Sequence, residues 1–173
     1  MKIGIAGTPG CGKTTLAKLL ATKLGCELID IKKLARKKKL VSGIEVDTKK
    51  LEKEIKKEVA KKKDFVIEGH LLCEVRISLD IVFVLRTKIK ELRKRLKKRG
   101  YSKKKIEENA MAELLDYCSI NSTQKYNCIV EIDTSKRNVK KTIGKILKAL
   151  VDKKNIDEVN HTGELITYLG LKK

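Results

Sequence analysis

The sequence predicts an α/β fold with a five-stranded, mostly parallel sheet flanked by helices. Five short apolar runs, at residues 3–6, 27–31, 65–68, 81–85 and 128–132, alternate with segments of helical periodicity. Several of these runs are continuously apolar, as expected of strands that helices cover on both faces. A glycine-rich loop joins the first run to the first helix. At 173 residues the chain can bury a substantial core, and we expect one domain over residues 1–173.

The glycine-rich loop reads GTPGCGKTT over residues 7–15 and matches G-x-x-x-x-G-K-[ST] from Gly7 to Thr14. Glycines at 7, 10 and 12 allow successive backbone N–H groups to turn inward and form an anion-binding nest. Lys13 can reach the β- and γ-phosphates of a nucleotide, and the Thr14 hydroxyl can ligate Mg²⁺. Because a strand precedes the loop and a helix follows it, we predict a nucleoside triphosphate at the helix N-terminus.

The first helix is predicted from four leucines at helical spacing, and Gly25 is expected to end it. These leucines are Leu16, Leu19, Leu20 and Leu24. A basic insertion follows over residues 32–63, and its helix is expected to point three apolar residues inward: Leu51, Ile55 and Val59.

A second insertion comes after the run at 81–85. Its helix, with Ile89, Leu92 and Leu96 inward, is expected to end at Gly100, and Ser102 can cap the next helix. Beyond residue 150 the chain adds roughly one further helix through Leu165, Ile166 and Leu169, which makes residues 152–173 a helical extension.

The charge of the chain is strongly positive, with 42 Lys and Arg against 22 Asp and Glu and a net charge of +20. A nucleotide requires only a few of these cations, so the excess is typical of a polyanion-binding protein, with RNA as the expected polyanion. A lysine-biased or heat-adapted surface is an equally good explanation. Two Phe, four Tyr and no Trp provide little base stacking, so any RNA contact would be mainly to phosphates.

The five cysteines, Cys11, Cys26, Cys73, Cys118 and Cys128, are odd in number and show no C-x-x-C spacing. This pattern argues against zinc and against a disulfide framework, and favours a reducing cytoplasm. Cys11 is interpreted as a small filler of the loop rather than a reactive thiol. No run of 18 apolar residues occurs, and the first strand stands where a signal peptide would be. We therefore expect a cytoplasmic protein without a membrane segment, and a monomer.

A second acidic group is predicted at the end of the third apolar run, in the sequence Val66-Ile67-Glu68-Gly69-His70. There Glu68 can hold Mg²⁺ directly or through water, and His70 can orient a water or a substrate oxygen. The alternatives are a solvated acid and a hydrogen-bonded structural histidine.

Four arginines in and around the insertions are candidates for phosphate binding: Arg36, Arg86, Arg95 and Arg99. Arginine grips phosphate oxygens with two parallel N–H groups and stays charged. The alternative for each is an ordinary solvated side chain. No N-K-x-D run is present, which argues against a GTPase.

These motifs together resemble the atypical adenylate kinases, a family implicated in maturation of the small ribosomal subunit. The resemblance covers about residues 1–150 and rests on GTPGCGKTT, on Ile31-x-x-Leu34-Ala35-Arg36, on residues 83–87, and on the run from Arg95 to Asn109. It implies a P-loop nucleoside monophosphate (NMP) kinase fold, an NMP-binding insertion at 32–63 and a zinc-free lid at 92–110. It also implies the reaction ATP + AMP ⇌ 2 ADP, with Mg²⁺ and a weak ATPase activity.

The resemblance also assigns roles to residues. Lys13, Glu68, His70 and Arg99 would be catalytic, with Thr14 and Glu68 at the metal; in the family an Asp occupies the position of Glu68. The AMP side would comprise Arg36, Gly69, His70 and Arg86. The ATP side would comprise Gly7, Pro9, Gly10, Cys11, Gly12, Lys13, Thr14, Thr15, Arg95, Arg99 and, in the turn 134–136 beside adenine, Ser135 and Lys136.

Two functions of different kinds follow from these observations. The insertion arginines favour a metabolic adenylate kinase, whereas the charge of +20 favours an assembly ATPase that binds a ribosomal protein or precursor rRNA of the small subunit. A P-loop kinase for another small acceptor is a third possibility, because the sequence does not determine what fills the second pocket.

Overall fold

The computed structural model describes residues 1–43, 45–136, 138–152, 157 and 159–170. Five strands form the main sheet: β1 (Lys2–Ala6), β2 (Glu27–Asp30), β5 (Phe65–Glu68), β6 (Ile81–Arg86) and β7 (Ile129–Asp133). Their order across the sheet is β2-β5-β1-β6-β7. The predicted five-stranded α/β fold is confirmed, with strand ends within two residues of the predicted runs.

Every pairing within this sheet is parallel. Ile3 lies opposite Val66 on one side and Ile81 on the other, and Arg86 lies opposite Asp133 at the end of the sheet. Parallel neighbours require crossover connections, and each connection between consecutive strands of the sheet contains a helix. All five strands therefore end at the same edge, where ligands of such sheets bind.

Eight α-helices surround the sheet in the described residues: α1 (Lys13–Leu24), α2 (Ile31–Lys37), α3 (Thr48–Val59), α4 (Ile89–Lys98), α5 (Lys103–Leu114), α6 (Tyr117–Thr123), α7 (Val139–Asp152) and α8 (Thr162–Tyr168). Asp30, Asp47 and Ser102 cap α2, α3 and α5 by accepting backbone N–H groups. Gly25 and Gly100, with φ of 62° and 74°, follow α1 and α4 as predicted. A 3₁₀ helix, His70–Glu74, follows β5.

Two apolar layers cover the two faces of the sheet. On one face Ile3, Ile5 and Phe83 contact side chains of α1, α4 and α7. On the other face Ile67 and Val82 contact α2, α3, α6 and the 3₁₀ helix. Successive strand residues thus point into opposite layers, which explains why the strands read as continuous apolar runs.

Several details differ from the sequence-based expectation. Leu19 and Leu24 are 40% and 39% exposed, because alanines at 17 and 21 complete the buried face of α1. Val59 is only partly buried. A short hairpin of β3 (Val41–Ser42) and β4 (Glu45–Val46), which the sequence did not reveal, lies within the first insertion. Leu169 lies just beyond α8 and is 57% exposed.

Within the described residues, no helix combines the length and apolarity that crossing a membrane requires.

Candidate functional site

The loop between β1 and α1 has the backbone that its glycines predict. Gly7, Gly10 and Gly12 have φ of 133°, 101° and 96°, values in the region that side chains disfavour. A Cβ at Gly7 would also lie 2.4 Å from the Leu85 carbonyl oxygen, so the loop rests directly on the end of β6. Because α1 begins at Lys13, the unpaired N–H groups of its first turn lie at the loop and favour an anion there.

Lys13 is held across this loop by two backbone carbonyl groups. Its Nζ donates to the Gly7 oxygen at 2.7 Å and to the Thr8 oxygen at 3.1 Å. The side chain is 8% exposed. The ammonium group is therefore fixed at the loop by backbone contacts, where it can contact the terminal phosphates of a nucleotide.

Thr14 and Glu68 are neighbours, as a shared metal site requires. The Thr14 hydroxyl donates to Glu68 Oε1 at 2.8 Å, and the register of β1 with β5 places Glu68 opposite Ile5. Burial raises the pKa of Glu68, while Thr14 and Lys13 oppose that rise. Mg²⁺ prefers hard oxygen ligands such as these. The two residues therefore fit a magnesium ion whose remaining ligands would include oxygens of the nucleotide phosphates.

One cavity, of about 490 Å³, opens between the loop, α4 and the N-terminus of α7, and we call it the lid pocket. Predicted ATP-side residues that line it are Gly10, Cys11, Gly12, Thr15, Arg95 and Arg99. Thr134, in the predicted adenine turn, also lines it. Burial and Glu113 raise the pKa of Cys11, so its thiol is neutral, consistent with its interpretation as a filler.

Arg95 on α4 connects the phosphate loop with the turn after β7 in the wall of the lid pocket. Its guanidinium group donates to the carbonyl oxygens of Gly10, Thr134 and Ser135 at 3.3, 2.6 and 3.1 Å. Arg99, four residues later and exposed, lines the same pocket. Arg95 thus supports the pocket through the backbone, whereas Arg99 is the arginine whose side chain is exposed to solvent there.

A second cavity, of about 510 Å³, lies on the opposite side of the loop, and we call it the insertion pocket. Its walls come from the loop, α2, the β3–β4 hairpin, the start of the 3₁₀ helix and α5. Predicted residues in its wall are Pro9, Arg36, Gly69 and His70. Pro9 is therefore on this side of the loop rather than in the lid pocket.

His70 is exposed in the wall of the insertion pocket. Desolvation by the surrounding atoms, together with Lys13 and Lys32, lowers the pKa of His70 to about 4. The imidazole is therefore neutral at pH 7 and can accept a hydrogen bond from a water or a substrate hydroxyl.

Seven predicted residues line neither pocket: Gly7, Lys13, Thr14 and Glu68, which belong to the loop and the metal site described above, and Arg86, Ser135 and Lys136. Arg86, predicted at the AMP phosphate, is buried, and its donors contact the carboxylates of Glu113, Asp116 and Glu131. Ser135 donates to Asp133 at 2.5 Å and accepts from the Lys88 N–H at 2.9 Å. Lys136 is exposed and lines a separate cavity. Arg86 was a candidate as an arginine beside the second insertion, but a buried guanidinium needs carboxylates nearby, and Glu113 on α5, Asp116 just before α6 and Glu131 on β7 provide them.

Sequence reasoning missed Glu113, which lies on the inward face of α5. The carboxylate is 2% exposed and accepts from the Thr8 hydroxyl at 2.5 Å and from the Thr87 N–H at 3.0 Å. A signal was present, because Glu113 shares the helical spacing of three buried apolar residues: Ile106, Ala110 and Leu114. An acid on an apolar helix face is rarely buried unless it is paired.

Comparison with known proteins agrees with this geometry. Residues 3–116 match the family model described as AAA domain. A protein named "Putative adenylate kinase" from Methanocaldococcus jannaschii is 37% identical over 180 aligned positions, which cover 99% of each chain. One of the same name from Pyrococcus furiosus is 38% identical, covering 99% of this chain and 98% of the relative.

Solved structures show the same fold at lower identity. Shikimate kinase from Acinetobacter baumannii superimposes with a TM-score of 0.65 at 20% identity, over 88% of this chain and 93% of that one. Deoxyadenosine kinase from M. mycoides has a TM-score of 0.60 at 20% identity, over 87% and 99%. Because its relatives match nearly its whole length above 30% identity, this chain belongs to the same family as the proteins named "Putative adenylate kinase", within the P-loop NMP-kinase superfamily.

Proposed function

We propose that this nucleotide kinase transfers the γ-phosphoryl group of ATP to AMP and forms two molecules of ADP, with slow ATP hydrolysis as a side reaction. The observation that supports this proposal is the pair of cavities, about 490 and 510 Å³, on opposite sides of one phosphate loop. Each volume lies in the range of small-ligand sites, about 300–1,000 Å³. A donor and an acceptor nucleotide can therefore approach the same phosphates from opposite sides.

The lid pocket is the proposed donor site. Its loop and the N-terminus of α1 would bind the β- and γ-phosphates, with Lys13 against them. The adenine would lie near Arg99 and Thr134, which both line the pocket. Arginine stacks well on a planar ring, so this arrangement fits a purine.

The insertion pocket is the proposed acceptor site. Arg36 on α2 and Lys32 one turn earlier are exposed cations in its wall, suited to the phosphate of AMP. Residues 32–63 would then be the NMP-binding insertion and residues 92–110 the lid, as the resemblance implies. Once both nucleotides are bound, transfer requires mainly alignment and stabilisation of negative charge.

Magnesium would be held by Thr14 and Glu68 beside the phosphates. When bound, the ion neutralises charge on the phosphate oxygens. For the side reaction, the neutral imidazole of His70 is placed to orient a water in the insertion pocket when AMP is absent.

A panel of acceptors tests this assignment. Purified protein with Mg·ATP would be supplied with AMP, CMP, GMP, UMP, deoxyadenosine or shikimate, and product formation compared with hydrolysis in the absence of acceptor. We expect AMP to give the highest kcat/KM and to exceed hydrolysis clearly. A preference for deoxyadenosine or shikimate would replace the proposal with a kinase for another small acceptor.

A role in maturation of the small ribosomal subunit is the second proposed function. The net charge of +20 favours it, because a polyanionic partner such as precursor rRNA, or a ribosomal protein bound to it, would use cations that nucleotides do not need. Recovery of the tagged protein with small-subunit precursors, but not with mature subunits, would support this function.

A further inference from the structure

A cluster of buried charges lies directly behind the phosphate loop. Glu113 Oε2 accepts the Thr8 hydroxyl at 2.5 Å, and Oε1 accepts Arg86 Nε and the Thr87 N–H, both at 3.0 Å. One carboxylate thus joins the loop to the end of β6. Because Glu113 and Arg86 are both about 2% exposed, water cannot replace these contacts without a rearrangement.

The cluster contains more acids than Arg86 can balance. Arg86 forms ion pairs with three carboxylates, those of Glu113, Asp116 and Glu131. A single guanidinium therefore faces three negative groups, two of them at least four-fifths buried. A second cation next to Glu113 would reduce this imbalance.

The C-terminal extension places His161 next to Glu113. The imidazole is 3% exposed, with Nε2 at 3.8 Å from Glu113 Oε1, an ion pair when the ring is protonated, and Nδ1 at 2.8 Å from Glu164 Oε2. Glu113 raises the pKa of His161 against the effect of burial, and Glu164 adds to that rise. Leu165 of α8 packs on an apolar group formed by Ile89, Ala110 and Leu114.

Through Glu113 the extension is connected to the catalytic lysine. Thr8 gives its hydroxyl hydrogen to Glu113 and accepts Lys13 Nζ on its backbone oxygen at 3.1 Å. The order of contacts is therefore His161, Glu113, Thr8 and Lys13. A displacement of Glu113 would move the Thr8 peptide and with it the loop that separates the two pockets.

We propose that Glu113 and His161 are positioning residues, through which the C-terminal extension holds the phosphate loop in the geometry that phosphoryl transfer needs. The inference rests on the proposed function for its kinetic readout only. His161 reaches neither pocket, since it is not in the lining of either one. Its effect is on turnover through the loop, because a displacement of about 1 Å can reduce a rate by about a hundredfold.

Two matched variants of the extension separate positioning from packing. His161→Ala removes the imidazole beside Glu113, whereas Leu165→Ala shortens a half-buried apolar contact of the same helix and keeps every group of the charge cluster. Assayed well below both melting temperatures, His161→Ala should lower kcat about tenfold with the KM for ATP within about threefold, and Leu165→Ala should leave kcat unchanged. Equal losses of kcat in the two variants would overturn the proposal.

A double-mutant cycle tests the route through Glu113. Thr8→Val removes the hydroxyl but keeps the shape, and Thr8→Ser, which keeps the hydroxyl, should recover most of the loss. If His161 acts through Glu113 on Thr8, His161→Ala combined with Thr8→Val should reduce kcat about as much as one change alone, because linked residues are not additive. Losses that multiply would show independent effects and contradict the proposal.

Amide hydrogen exchange provides a readout that does not depend on activity. We expect exchange in loop residues 7–13 to rise several-fold in His161→Ala and to stay at the wild-type rate in Leu165→Ala. Unchanged exchange in His161→Ala would refute the inference even if the wild-type protein transfers phosphate to AMP. If the wild type transfers phosphate to no acceptor while the loop responds as expected, the proposed function fails and the inference stands.

Discussion

At the scale of single residues, Lys13 shows how the phosphate loop is prepared for an anion. Two backbone carbonyl groups accept hydrogen bonds from its ammonium group. In this largely buried position the two carbonyl oxygens replace water as hydrogen-bond partners of the cation. A phosphate oxygen can compete with them for the same ammonium group. The ammonium group is therefore placed where a bound phosphate could contact it.

Replacement of Lys13 by Ala is expected to abolish most activity. Transfer and hydrolysis should both fall at least about a hundredfold, because the charge at the terminal phosphates is lost. Initial rates with saturating Mg·ATP measure the effect, and circular dichroism checks that the fold is retained. A folded variant with near-normal rates would exclude the loop as the donor site.

Arg36 provides a test of the acceptor side. Arg36→Ala should raise the KM for AMP roughly thirtyfold, since a charge-assisted contact contributes about 2 kcal/mol. ATP hydrolysis without acceptor should stay nearly normal. Lys33→Ala is the matched control, because Lys33 lies on α2 but borders a different cavity. Equal loss of transfer and hydrolysis in Arg36→Ala would place Arg36 on the ATP side.

At the scale of elements, each helix stabilises the fold mainly through its buried face. The exposed fraction of a side chain therefore indicates how much that residue contributes to stability. Leu51 on α3 is fully buried, whereas Leu19 on α1 is 40% exposed although it fits the same periodic pattern. Two leucines with the same helical spacing should therefore differ in their contribution to stability.

Leu51→Ala should lower the free energy of unfolding by about 2–5 kcal/mol, through lost transfer energy and the cavity left behind. Leu19→Ala should change it by at most about 0.5 kcal/mol. Urea unfolding of both variants at one temperature measures the difference. A loss in Leu19→Ala as large as that in Leu51→Ala would show that α1 buries a wider face than the structure describes.

The docking of α8 on α5 should depend on pH through His161. The groups that face this imidazole are Glu113 and Glu164, with Arg86 behind Glu113. Because the folded pKa of His161 is raised, its contribution to stability is fully present below the unfolded value of about 6.5 and is lost as pH rises through the folded value.

The free energy of unfolding of the wild type should therefore exceed that of His161→Gln by more at pH 6 than at pH 9. Comparison of the two proteins at each pH removes the titration of other groups that they share. Urea unfolding across this pH range provides the measurement. A difference that is constant with pH would show that His161 is neutral in the folded protein throughout.

At the scale of the whole molecule, the excess positive charge is unevenly balanced. Lysines of α3 pair with nearby acids, as in Lys56 with Glu52 and Lys57 with Glu54. Around the connection of α4 to α5, no ion pair within the described residues includes the exposed cations Lys94, Lys97, Lys98, Arg99, Lys103, Lys104 and Lys105. Lys98 and Arg99 line the lid pocket. The affinity for a polyanion bound to these cations would therefore depend on which nucleotide occupies the pocket.

We expect binding to small-subunit rRNA with steep salt dependence, a log–log slope of roughly −4 for about six contacts to single-stranded phosphates. Affinity should also differ several-fold between the ATP and ADP states, because a ligand shifts binding only through differential affinity. Filter binding at several salt concentrations measures both quantities. Lys103→Glu should weaken binding more than Lys53→Glu on α3. Equal rRNA affinity in the ATP and ADP states would contradict a nucleotide-dependent role in assembly, and the positive charge would then be only a property of the kinase surface.

The sheet, the phosphate loop, the ends of α1 and α4 and the start of α5 could be predicted from the sequence. Strand runs, the glycines at 7, 10 and 12, and the cap at Ser102 act through neighbours in the chain, so local spacing is sufficient to predict them. The positions of Glu68 and Thr14 followed as well, because parallel strands end at one edge.

Only the tertiary structure decided which charged groups meet. Thr8 and Glu113 are 105 positions apart, and Arg86 reaches acids on α5, α6 and β7. Such contacts depend on how helices pack on the sheet, and a buried charge takes whichever partners that packing brings near. For the same reason the place of Arg86 beside the second insertion predicted a phosphate ligand, whereas packing surrounds its guanidinium with the carboxylates of Glu113, Asp116 and Glu131.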